Sequence, residues 1–172
     1  LTAVAIASIL MVIYVTLRFK KIGGLSAGVT ALIALFHDVV MIYFMYVIFR
    51  MPIDSNFIAV VLMILGYSLN DTIVIYDRVR EERKALGRKT DAGMVFNLSA
   101  TKSLKRTIIT SVTTLSAILI VYIVALVYNI SSVQAFALPM IIGIISGCYS
   151  SICIAGPLWV LWQRKKKNSK KK

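Results

Sequence analysis

The chain has one histidine, two cysteines and three prolines in 172 residues, and each scarcity excludes something. A lone His37 with Cys148 and Cys153, five residues apart and so on different helix faces, makes neither a metal-ligand set nor a disulfide framework. The two cysteines read as small core residues. There is no glycine-rich loop to cradle phosphate and no soluble-enzyme constellation, so the chain is not read as an enzyme and needs no cofactor. An initiator methionine is missing too. The sequence is already apolar at Leu1, which reads as the later part of a longer protein and not as a signal peptide. Above all it is short of polar surface. Charged residues make up 16% against 59% hydrophobic, with a mean hydropathy of +0.83, too little to cover a soluble domain of this size. The fold class that follows is all-α, a polytopic membrane helical bundle.

Apolar runs at 1–17, 25–49, 57–77, 106–127 and 133–162 predict five spans of a single transmembrane domain. The first is just long enough to cross, or has been cut at its outer end. Residues 78–105 are charged and mixed, with Val79, Leu86, Val95, Phe96 and Leu98 scattered among the charges. They predict one or two short amphipathic helices along the membrane surface, broken near Gly87. In the last span Pro139, Gly143, Gly147 and the Gly156-Pro157 pair predict a kinked, closely packed helix.

A net charge of +13 resembles a nucleic-acid signature until the charges are located. Of the 20 Lys and Arg residues, 19 fall in three patches, 18–21, 78–106 and 164–172, which share one side of the membrane if the spans alternate. Only Arg50 lies opposite. The positive-inside rule makes the patches cytoplasmic, with Leu1 outside and the C-terminus inside, and no nucleic acid is needed to explain them. The basic tail, 163–172, then reads as a stop and an anchor on anionic lipid, or as a contact for a ribosome or partner. Trp159 and Trp162 just before it fit an interfacial belt.

Against this background Asn70 and Asp71 stand out, inside the third span in Gly66-Tyr-Ser-Leu-Asn-Asp-Thr-Ile-Val-Ile-Tyr-Asp77. An ionised Asp well inside hydrocarbon costs roughly 2.5 to 3.5 kcal/mol on insertion scales, so such a residue faces protein or water. Two readings follow: a proton or ion site lined by Tyr67, Ser68, Asn70 and Asp71, with Gly66 allowing close helix approach, or a structural polar clasp. The second span carries His37 and Asp38. In straight helices Asp71 lies about 9 Å and Asp38 about 20 Å above the cytoplasmic ends of their spans, which does not make them an obvious pair. Arg106 opens the fourth span, with a stem long enough to extend toward Asp71. Arg106, Thr110 and Thr113 share one helix face, and Thr107, Ser111 and Thr114 the adjoining strip. As a stripe these hydroxyls predict a wet seam; singly, each can equally bond its own backbone.

The stretch from Gly66 through Asp77-Arg-Val-Arg-Glu81 closely resembles the signature of the SecF family, membrane subunits that work with SecD in bacterial protein export. Further matches are His37-Asp38 after Ala34-Leu35-Phe36, Arg106-Thr-Ile-Ile-Thr-Ser-Val-Thr-Thr114, and Gly147-Cys-Tyr-Ser-Ser151. The Asn-Asp order favours SecF over SecD, which has an Asp-Ala-Asn arrangement there. Lys102 and Cys148 depart from the family, which commonly has Gln and Thr. The resemblance covers nearly the whole chain and implies the transmembrane half of an RND-superfamily fold, without the family's first span and extracytoplasmic domain. It implies a bacterial cytoplasmic-membrane location and export driven by the proton-motive force, with the proton as coupling ion. Asp71 and Arg106 would be the relay, supported by Tyr67, Ser68, Asn70, Thr107, Thr110, Thr113, Thr114, His37 and Asp38. The partners it implies are SecD, the SecYEG channel and the exported preprotein, with YidC as a further candidate.

Physical chemistry supplies a reason for the pair. Burial disfavours an ionised carboxylate and a nearby guanidinium favours it, so a site that moves relative to Arg106 can bind a proton in one state and release it in another. Two other classes compete. Asp38 and Asp71 are two buried carboxylates, as in an intramembrane aspartyl protease, but their depths differ and no Gly-x-Gly-Asp motif is present. A passive scaffold of an export channel is the third reading.

Overall fold

The computed structural model describes residues 2–87 and 90–169. Leu1, Arg88, Lys89 and residues 170–172, parts of the expected first span, charged segment and tail, lie outside the described residues. The described chain is helical: α1 (Thr2–Arg18), α2 (Gly24–Ile48), α3 (Ser55–Leu86), α4 (Ala92–Val127), α5 (Ser131–Ser150) and α6 (Gly156–Ser169). A 3-10 turn, Lys20–Ile22, links α1 to α2, and a π-helical segment, Ser151–Ala155, runs α5 into α6. Four helices are long and apolar enough to cross a membrane: α2, α3, α4 and the α5–α6 rod. The 17-residue α1 is a shorter apolar helix beside them.

The breaks lie where the backbone demands them. Gly23, at φ 92°, turns the chain between α1 and α2, and a Cβ on Gly24 would collide with the Thr16 carbonyl. Arg50 at positive φ, followed by Pro52, ends α2. Asp54 then caps α3, its carboxylate accepting from the backbone N–H groups of Asn56 (2.8 Å) and Phe57 (3.4 Å). Asp91 caps α4 through the Gly93 N–H (3.0 Å).

Residues 78–86 and 92–105 are continuous with α3 and α4 and do not form separate amphipathic helices. The break near Gly87 is where it was expected, but nothing interrupts either helix on the way to it. Arg78 bridges Glu81 (2.7 Å) and Glu82 (3.3 Å) along α3, and Val79 of α3 with Val95 and Phe96 of α4 is buried in the bundle, the Phe96 ring against Gly156 of α6. The charged stretch is therefore a two-helix extension of the bundle.

In the core α2, α3 and α5 pack on one another, α1 leans on α2, and α4 lies against α3 and α5. Small residues set the spacing. A Cβ on Gly143 would stand 2.5 Å from Ile64 Cγ1, one on Gly147 3.0 Å from Ser68 Cβ, and one on Gly156 would overlap the Phe96 ring. Gly66, by contrast, has nothing within 4 Å of its missing Cβ and faces away from the bundle, so it allows no close approach within this chain. Trp159 is not an interfacial residue. It is fully buried and its indole N–H donates to the Ile22 carbonyl (3.3 Å), because the 3-10 turn folds back over α6; Trp162 alone of the pair faces outward. Cys148 is half-buried and Cys153 exposed, so neither is a core residue of the kind expected.

Candidate functional site

The polar residues of the bundle gather at two places on neighbouring faces of α3. On one side Asp38 is completely buried. Its Oδ2 accepts from Ser68 Oγ (2.6 Å) and Ser150 Oγ (2.8 Å), and its Oδ1 accepts from Ser146 Oγ (2.7 Å) and lies 3.3 Å from His37 Nδ1. Three helices thus meet at one carboxylate. The serines on α5 are four residues apart, one above the other on the same face. His37 is half-exposed and its ring rests against Tyr149, so it carries the cluster from the core to the outer face. One turn further along α3, Thr72 bonds Ser151 (2.9 Å), and then Tyr76 bonds Thr30 (2.7 Å) and donates to the Ala155 carbonyl (3.3 Å). This polar ladder lines the inner face of the π segment, whose irregular backbone gives Tyr76 its carbonyl acceptor.

On the neighbouring face of α3 lies the seam with α4. Tyr67 donates to Ser111 (3.1 Å). One turn toward the charged extension, α3 presents Asp71 and the antiparallel α4 presents Thr107. Both are buried, with 2% of the surface of each accessible, and Asp71 Oδ2 and Thr107 Oγ1 have no hydrogen-bond partner among the described residues. Below them opens a polar cleft of about 510 Å³, lined by Asn70, Asp77, Arg78, Glu81, Lys102 and Arg106. Arg106 is close enough for its charge to act on Asp71 but makes no ion pair with it. Lys102 shares this cleft and spends its charge on Glu82 (2.8 Å).

The expected hydroxyl stripe divides in two. Thr107 and Ser111 form the face buried against α3. Thr110, Thr113 and Thr114 donate to carbonyls of their own helix, at 2.9 Å each, and Thr110 and Thr113 lie on the Arg106 face, which turns outward. Depth also differs from the straight-helix expectation. Asp38 is bonded to Ser68, three residues before Asp71, so the carboxylates are about one turn apart in height. The helices do not end at a common level: α2 starts at Gly24, while α3 runs on to Leu86. No hydrogen bond joins the two carboxylates, which point to different neighbours.

Residues 1–165 match the model of a family described as protein export membrane protein SecD/SecF, C-terminal. The chain belongs to the SecD/SecF family. It is 42% identical over 150 residues to the protein translocase subunit SecF of Borreliella burgdorferi, covering 87% of this chain and 47% of that protein. It is 39% identical over 165 residues to the protein translocase subunit SecDF of Bacillus subtilis, covering 95% of this chain and 21% of that protein. Its fold superposes on a crystal structure of SecDF in a super-membrane-facing form with a TM-score of 0.84 at 36% identity, over 95% of this chain and 21% of that one. The chain spans about half the length of the SecF relative and about a fifth of the fused SecDF proteins. Within this SecD/SecF membrane domain, Ser146, Ser150, Ser151, Thr72, Tyr76 and Thr30 are site-lining residues that sequence reasoning passed over. The four-residue spacing of Ser146 and Ser150 beside Gly143 and Gly147 was the available signal. Only the glycines of that stretch were read, as close helix packing, which the Gly143–Ile64 and Gly147–Ser68 contacts bear out.

Proposed function

We propose that this chain is the membrane part of a SecF-type translocase subunit that, with a SecD-like half, uses the proton-motive force to promote protein export, Asp71 carrying the proton and Arg106 answering its charge. One observation carries the assignment: of Asp38 and Asp71, the two carboxylates buried within the apolar spans, only Asp71 leaves an oxygen without a hydrogen-bond partner among the described residues. Asp38 accepts hydroxyl donors on both oxygens, an arrangement that holds it in place. Asp71 sits at a seam with vacant hydrogen-bonding capacity and a cation at its mouth, so its environment changes if α4 shifts. One charge crossing 100 mV is worth about 2.3 kcal/mol, enough to bias a two-state equilibrium.

The same contrast argues against an aspartyl protease. That mechanism needs two carboxylates sharing a water, and Asp38 is turned to Ser68, Ser146 and Ser150 while Asp71 lies at the α4 seam. The charge patches support the cytoplasmic inner membrane location, with α1 starting outside and α6 ending inside. SecYEG and the preprotein are the wider partners of this reading, YidC a further one, and anionic lipid is the surface met by the tail.

The test is gradient-dependent export in membrane vesicles carrying the full protein and its SecD half. Asp71→Asn keeps shape and removes ionisation; it abolishes the gradient-dependent fraction while insertion and complex formation stay normal. Wild-type export by a stably inserted Asp71→Asn protein leaves the passive scaffold as the reading.

A further inference from the structure

Near the basic end of the bundle a groove of about 640 Å³ lies between α2 and α6, walled by Ile33, Leu158, Leu161 and Trp162 and closed by Lys165 and Lys166. That volume is in the range of small-ligand sites. Thr30 also borders it, but its hydroxyl is committed to the Ser26 carbonyl (2.7 Å) and to Tyr76, so the walls act as hydrocarbon. Ile33 belongs as well to a second, almost wholly apolar groove of about 480 Å³, lined by Leu32, Phe36, Val39 and Leu65. The two grooves adjoin at Ile33 and together follow α2 from Thr30 to Val39, about 14 Å along the helix axis away from the lysines.

We propose that this track is a binding site for one anionic phospholipid, its acyl chain laid along α2 and its phosphate held by Lys165 and Lys166. Charge complementarity selects this occupant. No carboxylate lines either groove, and among the described residues the acidic side chains near this end are paired elsewhere: Asp77 with Arg18 and Arg80, Asp91 with Arg164. Lys165 and Lys166 therefore meet no acidic partner among the described residues. A neutral lipid or an apolar helix would fill the walls and leave both ammonium groups unanswered. A diester phosphate at the head of a hydrocarbon chain satisfies both ends at once, and Trp162 sits at the level where indoles favour the headgroup boundary. The site is a defined cleft, distinct from the diffuse attraction of a basic tail, and it stands apart from the relay reading, since lipid occupancy is measured without export.

The experiment uses the full protein with its partner half, purified in neutral detergent and placed in nanodiscs containing either phosphatidylglycerol or phosphatidylcholine with brominated acyl chains. Bromines in a bound chain quench Trp162, and the Trp162→Phe protein identifies that part of the signal. Phosphatidylglycerol should quench it and survive delipidation. Lys165→Gln with Lys166→Gln should weaken retention about 30-fold, the worth of two surface lysines. Ile33→Phe, which fills the junction of the grooves with both lysines present, should also release the lipid. Inorganic phosphate at matched ionic strength should not compete. Equal quenching by phosphatidylcholine, displacement by inorganic phosphate, or full retention by the Ile33→Phe protein would each overturn the proposal, the last by leaving surface charge alone as the cause.

Discussion

Two aspartates in one apolar bundle carry opposite assignments because of what surrounds each carboxylate. Removing the acceptor at Asp38 strands the hydroxyls of Ser68 and Ser146 at the centre of the protein and leaves Ser150 only the Gly147 carbonyl. Asp38→Ala should cost about 3 kcal/mol or more, read as a lowered thermal midpoint of the purified protein, since each buried hydroxyl left unsatisfied costs about 1–3 kcal/mol. An unchanged midpoint would remove the anchoring role. At Asp71 the neutral amide strands nothing, and the loss should appear in function and not in stability. Arg106 makes a separate prediction. It lines the cleft below Asp71 beside Asn70 and Lys102, and a guanidinium presents a planar fork of donors that an ammonium lacks. Arg106→Lys should lose most gradient-dependent export at matched protein level. Full activity of that variant would reduce Arg106 to a topology charge, which Lys supplies equally well.

Among the elements, the α3–α5 contact is close-packed and the α3–α4 seam leaves buried polar atoms without partners among the described residues. Gly143→Ala drives a methyl into Ile64, and overpacking of this kind costs about 1–3 kcal/mol. Adding Ile64→Val should recover part of that loss in the same thermal assay; a neutral Gly143→Ala would mean that the helices can separate there at no cost. At the charged end, Arg164 holds Asp91 at 2.7 Å, tying α6 to the start of α4. That hydrogen bond, with the Gly93 N–H adding to it, keeps the Asp91 carboxyl down at about 2. Because this value lies below the ordinary 3.8, the clasp is complete above pH 4 and is lost as pH falls through about 2. Carboxyl-carbon NMR of Asp91 should show the depressed midpoint, and Arg164→Gln should return it toward the ordinary value.

For the molecule as a whole, α4 is the unfinished surface: 11% of its most apolar stretch is buried within the chain, against 50% for α3. Arg106, Thr110, Thr113 and Gly66 all face outward on this part of the bundle, as expected if a second membrane half covers the seam. A cysteine at Gly66 should crosslink to a SecD-like partner in native membranes, while one at Ser68, buried against Asp38 and Gly147, should not. Labelling of the Gly66 position by lipid-soluble probes alone, with no crosslink to protein, would refute the shared interface.

Membrane class, an all-α bundle, the break at Gly87 and Asp71 as an ionisable group inside an apolar run were legible in the order of residues. Each rests on hydropathy, charge patches or an ionisable group in an apolar run, which are properties of the chain itself. The partners of Asp38 were not legible, because Ser68, Ser146 and Ser150 lie up to 112 residues away and a serine beside small residues reads as packing until helices are docked. Nor was the split of the α4 hydroxyls, since a helix shows which residues share a face but not which face meets a neighbour. The burial of Trp159 and the continuity of residues 78–105 with the spans were decided in the same way, by contacts across the bundle that offered more burial than the membrane surface did.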